Sequence, residues 1–200
     1  MRRGPEAFMM LRSFIAVELP QEFQQAIARE TAGLRTALPR PLVRWVAPEN
    51  VHLTLKFLGD VSPSNLEVLA EALAAEARNH TPFEAYVGKL GAFPNPRRPR
   101  VLWIGFLAQA PLSALQRGVE ASCARLGYPP ESRGFSPHLT IGRLAQTRSA
   151  ADLERARLAL QKTDVGMLGK MRVDSIHLFK SDLRPDGPVY THLHAMPFNH

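Results

Sequence analysis

The sequence has little of what defines several other classes of protein. It contains one cysteine, Cys123, in 200 residues, so it cannot form an intramolecular disulfide, and a reducing compartment is expected. No apolar run approaches the roughly 18 residues that a membrane-spanning helix needs. Arg12 and Ser13 interrupt the apolar stretch near the N-terminus, and no small-residue cleavage site follows. We expect a soluble cytoplasmic protein, with a disordered extension over residues 1–10 and a single domain over 11–200.

The usual signatures of cofactor and metal sites are also absent from the sequence. It has no Rossmann or P-loop glycine pattern, which predicts no nucleotide cofactor and no ATP dependence. His177, His192 and His194 on two predicted strands have the residue type of a zinc site. However, there is no H-E-x-x-H motif, no cysteine pair and no identifiable carboxylate to orient these rings. We therefore expect no metal.

Acidic residues are outnumbered by basic ones. The chain has 18 Asp and Glu against 25 Lys and Arg, a formal net charge of +7. Such an excess favours a polyanionic partner, with RNA as the first candidate. Aromatic residues make up 8% of the chain and form no RRM-like stacking signature. Among the possible functions, a non-catalytic RNA-binding module is therefore the one that the sequence favours least.

A short pattern that could carry chemistry occurs twice, as His52-Leu53-Thr54-Leu55 and His138-Leu139-Thr140-Ile141. Both copies lie in apolar runs that are typical of β-strands. Because strand side chains alternate between faces, each histidine shares a face with its threonine. A lone histidine on a strand is usually structural. Two matching pairs indicate two imidazoles and two hydroxyls suited to acid–base chemistry on a phosphate.

The segments around the two motifs repeat the same order of predicted elements. Each half has a strand, an amphipathic helix and the motif strand, with 38 positions from Phe14 to His52 and 36 from Leu102 to His138. A further helix follows each motif, the first capped by Ser62 and the second by Ser149. The predicted fold class is α+β. It is a bilobal duplicated fold of two mostly antiparallel sheets, with outer helices around a central cleft.

Longer stretches around the motifs carry a more specific resemblance. The segments 12–17, 52–59 and 135–143, with 93–103 and 178–181 followed by Tyr190, are similar to one family within the 2H phosphoesterase superfamily. That family is the bacterial and archaeal 2′-5′ RNA ligases, also called RNA 2′,3′-cyclic phosphodiesterases. The resemblance covers residues 11 to 197 and implies a bilobal fold with a metal-independent site. It implies that His52, Thr54, His138 and Thr140 are the site residues.

The chemistry of a cyclic phosphate agrees with this implication. Opening it requires a base for water on one side of phosphorus and an acid for the departing ribose oxygen on the other. Analogy with the family favours His52 as the acid and His138 as the base, which gives a 2′-phosphate. Thr54 and Thr140 would bind the non-bridging oxygens. The reverse step with an RNA 5′-hydroxyl gives a 2′-5′ linkage, but water at about 55 M makes ligation weak.

Several other residues are candidates for substrate contact. Arg143 would bind phosphate if a bulge at Gly142 turned it toward the cleft. Phe57 is a candidate for base stacking, and Lys56, on the predicted face of His52, for added positive potential. The loop between two predicted strands is basic and would guide an RNA backbone through Arg97, Arg98 and Arg100. Each of these residues also has an ordinary structural interpretation as a core or surface residue.

The expected partner is RNA with a 2′,3′-cyclic phosphate end, with tRNA halves as one form of it, and the expected state is a monomer. A phosphodiesterase for small cyclic nucleotides or 2′-5′ oligonucleotides keeps the same fold and chemistry, and stays open as an alternative.

Overall fold

The computed structural model describes residues 10–146, 148–184 and 187–199. Apart from Met10, the predicted N-terminal extension lies outside the described residues. The helices, in chain order, are α1 Gln21–Glu30, α2 Ala32–Ala37, α3 Pro63–Ala77, α4 Gln109–Arg125 and α5 Ala150–Lys162. The strands are β1 Leu11–Glu18, β2 Val43–Trp45, β3 His52–Val61, β4 Phe83–Phe93, β5 Val101–Leu107, β6 His138–Leu144, β7 Met167–Val173, β8 Ser175–Arg184 and β9 Gly187–Pro197.

The strands pair antiparallel in one sheet with the order β7-β4-β5-β6-β3-β1-β8-β9, and β2 also pairs with β6. The two motif strands β3 and β6 are the central neighbours. They share one register pair, Leu53 with Leu139, whereas β1 and β3 share eight. The sheet is therefore two halves, β3-β1-β8-β9 and β7-β4-β5-β6, that meet at the motifs. This confirms the predicted α+β architecture and adds that its two sheets are joined.

The halves exchange strands, which the sequence interpretation missed. A duplicated bilobal fold predicts that each lobe keeps the strands that follow its own motif. Instead β4 pairs with β5 and β7 in the second half, and β8 and β9 extend the first half beside β1. Hydrophobic periodicity identifies strands but carries no information on which neighbour a strand chooses. The exchange ties the two halves together through the chain itself.

The helices bury the apolar faces that their spacing predicts. Side chains on these faces are 0–8% exposed: Phe23, Ile27, Leu34 and Leu38 in the first helical segment, Leu66, Leu69, Leu73 and Ala77 in α3, and Leu112, Leu115, Val119 and Cys123 in α4. They join the inward side chains of the strands in one apolar cluster. Burying apolar area at about 25 cal/mol per Å² is the main stabilising contribution. The outward face of the sheet is left free for the site.

The residues at the helix ends explain where several helices begin or end. Ser149 caps α5 in a capping box, because its hydroxyl accepts from the Asp152 amide at 3.1 Å while Asp152 Oδ2 accepts from the Ser149 amide at 3.0 Å. Gly127 ends α4 with φ +86°, a left-handed conformation that other residues rarely adopt. Ser62 occupies the N-cap of α3, but its hydroxyl makes no capping hydrogen bond to the amides of the helix. No helix in the described part of the chain is long and apolar enough to cross a membrane.

Candidate active site

The two H-x-T motifs lie side by side at the centre of the sheet. Leu53 and Leu139 are 0% exposed and point into the core, so the flanking histidines and threonines point to the opposite face. The antiparallel register through this leucine pair brings His52 toward Thr140 and His138 toward Thr54. The structure therefore brings the four motif side chains together on one face, related by an approximate two-fold axis.

Both motif strands carry a bulge at the same position. On β3, Ile15 pairs with Lys56 and Ala16 pairs with Thr54, which leaves Leu55 as an extra residue. On β6 the equivalent extra residue is Ile141, because Leu102 pairs with Gly142 and Trp103 with Thr140. A bulge breaks the strict alternation of faces beyond it. The residues two positions after each threonine therefore turn inward, and those three positions after it turn outward.

This bulge corrects the interpretation of Lys56. Strict alternation placed it on the face of His52 and Thr54, but the structure buries it, with 2% of the residue exposed. Its Nζ donates to Glu120 Oε2 at 2.6 Å and to the Pro129 carbonyl at 2.8 Å. Lys56 is thus a structural tie between β3 and α4. Contact with RNA is excluded by this burial.

Phe57 and Arg143 occupy equivalent positions beyond the bulges, and both are exposed. The Phe57 ring lies 6.2 Å from that of Phe14, which in turn stacks on His52. Arg143 follows Gly142, where an added Cβ would lie 2.9 Å from atoms of Trp45 and Val43. A glycine is needed there because side chains of the paired strand β2 fill the space that a Cβ would occupy. The predicted reorientation of Arg143 thus comes from a bulge at Ile141.

The ring nitrogens of the two motif histidines are held in the same way. His52 Nδ1 lies 2.8 Å from the Asn50 carbonyl and His138 Nδ1 lies 2.7 Å from the Ser136 carbonyl. Because a carbonyl only accepts, each Nδ1 carries the hydrogen and donates it. Each Nε2 is then left for chemistry. Thr54 Oγ1 lies 3.0 Å from Nε2 of His52, so hydroxyl and imidazole face the same small space.

His52 lies among aromatic rings. It stacks on Phe14 with centroids 4.7 Å apart, and Tyr190 meets it edge-on at 5.2 Å. Phe179 stacks on Phe14 at 5.2 Å, and its ring also lies 6.4 Å from that of His52. Burial lowers the pKa of His52 to about 4, against the opposing effect of the Asn50 carbonyl. His52 is therefore neutral at pH 7 in the free protein.

His138 has a more open environment. The edge of its ring meets Phe93 with centroids 4.8 Å apart at 90°. Burial lowers its pKa, the Ser136 carbonyl opposes that shift, and the positive charge of Arg143 lowers the pKa further. The two histidines share a tautomer and differ in surroundings, which is the arrangement expected when one acts as acid and the other as base.

Three arginines lie close enough to Tyr190 to affect its ionisation. Burial raises the pKa of Tyr190, and Arg143, Arg12 and Arg44 lower it by their charge. These three exposed arginines come from β6, β1 and β2. Of these three arginines, the sequence analysis named only Arg143 as a candidate for substrate contact. It also missed the aromatic surroundings of His52, although Phe14, Phe179 and Tyr190 all lie on predicted strands.

The basic loop adjoins this face at the ends of β4 and β5. Phe93, which contacts His138, immediately precedes the loop, and Arg97, Arg98 and Arg100 are exposed. The Asn95 side chain accepts from the backbone amides of Arg97 and Arg98 at 3.0 and 3.1 Å. The loop is thus held in shape by backbone contacts, and its guanidinium groups extend into solvent.

Comparison with known proteins identifies the family to which this chain is similar. The sequence profile of the family described as LigT like Phosphoesterase matches residues 17–103 and 107–190. An RNA 2′,3′-cyclic phosphodiesterase of Methanothermobacter thermautotrophicus is 37% identical over 183 residues, 92% of this chain and 96% of the relative. One from Archaeoglobus fulgidus is 33% identical over 187 residues, 92% of this chain and 98% of the relative.

Solved structures of similar proteins have the same fold as this chain. A protein of Thermus thermophilus superposes with a TM-score of 0.76 and 29% identity, over 94% of this chain and 97% of that one. Escherichia coli LigT in complex with 3′-AMP superposes with a TM-score of 0.74 and 26% identity, over 96% of this chain and 99% of that one.

Proposed function

Because this chain belongs to the LigT-like phosphoesterase family, we propose that it is a metal-independent RNA 2′,3′-cyclic phosphodiesterase that leaves a 2′-phosphate. The observation that carries the proposal is the pair of imidazoles with hydrogens fixed on Nδ1 by Asn50 and Ser136. Both Nε2 atoms are thereby unprotonated on one face of the sheet, where Thr54 Oγ1 lies 3.0 Å from Nε2 of His52. A base and an acid on opposite sides of one phosphorus are what the reaction needs.

In the proposed reaction, His138 Nε2 accepts a proton from water as the water oxygen bonds to phosphorus. The bond between phosphorus and O3′ breaks, and His52 Nε2 gives a proton to the departing O3′. The phosphate stays on O2′, so the product ends in a 2′-phosphate and a 3′-hydroxyl. Each proton transfer contributes about 10²–10⁴ in rate. Thr54 and Thr140 donate hydrogen bonds to the non-bridging oxygens, where negative charge accumulates.

The proposed acid must first acquire its proton. With a pKa of about 4, His52 is neutral at pH 7 before substrate binds. An anion beside an imidazole favours the charged form. The cyclic phosphate therefore raises the pKa of His52 as it binds, and His52 takes up a proton from solvent at that point. The reverse reaction, with an RNA 5′-hydroxyl in place of water, is the proposed weak 2′-5′ ligation.

Arg143 is the proposed phosphate ligand outside the motifs, since its exposed guanidinium can bind two oxygens at once. The substrate that fits best is an RNA end, because Arg12 and Arg44 extend the positive surface beyond a single phosphate. Phe57 and the loop arginines 97, 98 and 100 are the proposed contacts further along the strand. We further propose that the substrates include tRNA halves and that the protein is a monomer with one domain over residues 11–200. The single cysteine supports a cytoplasmic location.

The test uses a short RNA ending in a 2′,3′-cyclic phosphate, in EDTA and without ATP. Wild type is assayed beside His52→Ala, His138→Ala and the matched control His194→Ala, whose ring lies 3.7 Å from Glu67 on the helix side of the sheet. Products with 2′- and 3′-phosphates are separated. The proposal expects a 2′-phosphate from wild type and His194→Ala, with turnover lost in the other two.

Other outcomes point to the alternatives. Turnover of cyclic mononucleotides or 2′-5′ oligonucleotides far above that of RNA ends would assign the same chemistry to a smaller substrate. Activity that EDTA abolishes would overturn metal independence. RNA binding without any hydrolysis would leave a binding module.

A further inference from the structure

Three side chains converge on the wall of the cleft formed by the end of β1 and by β8 and β9. His177 Nδ1 lies 2.8 Å from His192 Nε2 and 3.5 Å from Glu18 Oε2. One nitrogen or oxygen of each residue lies within 4.8 Å of those of the other two. Two imidazoles and one carboxylate are a ligand set typical of zinc.

A hydrogen-bonded chain behind His177 turns it toward the other two residues. Its Nε2 lies 3.1 Å from Ser175 Oγ, and that hydroxyl donates to Asp174 Oδ1 at 3.1 Å. Since a hydroxyl has one hydrogen, His177 Nε2 supplies the hydrogen of its own contact, and the lone pair of Nδ1 faces Glu18 and His192. Histidines that bind metals are usually oriented by a contact of this kind at their other nitrogen.

The fold itself does not require these polar residues. In the two-fold repeat, Glu18 pairs with His52 as Gly105 pairs with His138. His177 pairs with Ala16 as Gly91 pairs with Trp103. The second half therefore has glycine at both equivalent positions and builds the same sheet.

The two contacts of His177, to His192 at 2.8 Å and to Glu18 at 3.5 Å, fit a metal with little movement. Zinc ligands lie about 2.0–2.2 Å from the ion, so two of them are about 3.3 Å apart in a tetrahedral site. The contact between His177 and His192 would open by about 0.5 Å when an ion replaces their shared hydrogen. Glu18 and His192 are exposed and His177 is half-buried, so solvent ions can reach the cluster.

We propose that Glu18, His177 and His192 form a binding site for a transition metal of the zinc type, separate from the hydrolytic groups, with water completing the coordination. The site goes beyond the proposed function, which uses no metal. It also differs from the trio that the sequence indicated, because Glu18 takes the place of His194. The Phe179 ring separates it from the aromatic stack on His52, with centroids 5.4 Å from His192 and 5.2 Å from Phe14.

The test titrates Zn²⁺ into the untagged full chain after removal of metals with EDTA and dialysis, in competition with a chromophoric chelator. Wild type and His194→Ala are expected to bind one zinc ion per chain. His177→Ala and His192→Ala should lose at least tenfold in affinity, and Ser175→Ala about tenfold. Thermal unfolding of each metal-free variant shows whether it folds. Co²⁺ substitution gives a second readout, since a tetrahedral site with nitrogen ligands absorbs visible light.

The proposal is overturned if wild type binds no zinc at stoichiometric amounts, or if His177→Ala and His192→Ala bind it as wild type does. It is also overturned if His194→Ala alone loses the ion. Hydrolysis measured in EDTA on the same preparations tests the proposed function by itself. Failure of either proposal is therefore seen independently of the other.

Discussion

Arg44 and Arg143 lie directly opposite each other across β2 and β6, both exposed. Like charges in this position oppose folding, by an amount comparable to the roughly 0.2–1 kcal/mol that favourable cross-strand pairs contribute. Together with Arg12, their charges lower the pKa of Tyr190, whose ring contacts His52 in the proposed site. A phosphate bound between the two guanidinium groups would relieve this repulsion. We therefore expect Arg44 and Arg143 to bind phosphate together.

Arg44→Gln should therefore raise the free energy of unfolding by up to about 1 kcal/mol while weakening substrate binding. Denaturant unfolding and KM for a cyclic-phosphate RNA measure the two effects. Arg29→Gln, on the outer helix α1, is the matched control. An unchanged KM in Arg44→Gln would show that the pair does not bind the substrate.

Acid should destabilise the protein through His52. Its pKa is about 4 in the folded state and 6.5 at its ordinary value, so the unfolded chain binds the proton more readily. The stabilising contribution is full above about pH 7 and is lost as the pH falls toward 4, by at most about 3 kcal/mol. Denaturant unfolding at several pH values should show a weaker acid dependence in His52→Asn than in wild type. Parallel curves for the two proteins would contradict the burial argument.

Lys56→Met should destabilise the fold strongly. It removes the amine that donates to Glu120 and to the Pro129 carbonyl, and leaves Glu120, whose side chain is 13% exposed, without its counter-charge. Breaking a buried pair in this way typically costs about 3–5 kcal/mol. Lys56→Met combined with Glu120→Leu should recover much of the loss, since an apolar pair replaces the ionic one. A double variant that is less stable than Lys56→Met would argue against a role confined to this pair.

Removing an arginine from the basic loop should change the salt dependence of RNA binding. If the exposed Arg98 contacts a phosphate, Arg98→Gln lowers the slope of log Kd against log salt by about 0.7, the value for one contact on a single strand. Catalytically inactive protein, made with His138→Ala, allows binding to be measured at equilibrium. The Arg29→Gln change again serves as the control. An unaltered slope for Arg98→Gln would place the RNA elsewhere on the surface.

Phe57→Ala tests base stacking at the other side of the cleft. The ring is 53% exposed, so truncating it should leave the free energy of unfolding nearly unchanged. Loss of one stacked base weakens binding by about 1–3 kcal/mol. KM should rise for an RNA end but far less for inorganic phosphate as an inhibitor. Equal effects on both ligands would indicate a disturbance of the phosphate site.

The sequence by itself determined the helices and strands and the faces on which the motif side chains lie. Alternation of side chains placed His52 with Thr54 and His138 with Thr140, and the helical spacing of Leu69 and Leu73 identified a buried face. These features depend on periods of two and 3.6 residues, which a chain carries locally. The capping box at Ser149 is local in the same sense.

Tertiary structure alone decided the rest, because it depends on residues that are distant in the chain. The bulges at Leu55 and Ile141 exist only against neighbouring strands, and they exchanged the expected positions of Lys56 and Phe57. The exchange of β4 and β8 between the halves brought Phe179 beside Phe14. The pairing of β1 with β8 also made Glu18 and His177 neighbours. Strand order depends on how whole sheets pack, and the local periodicity of a sequence does not predict it.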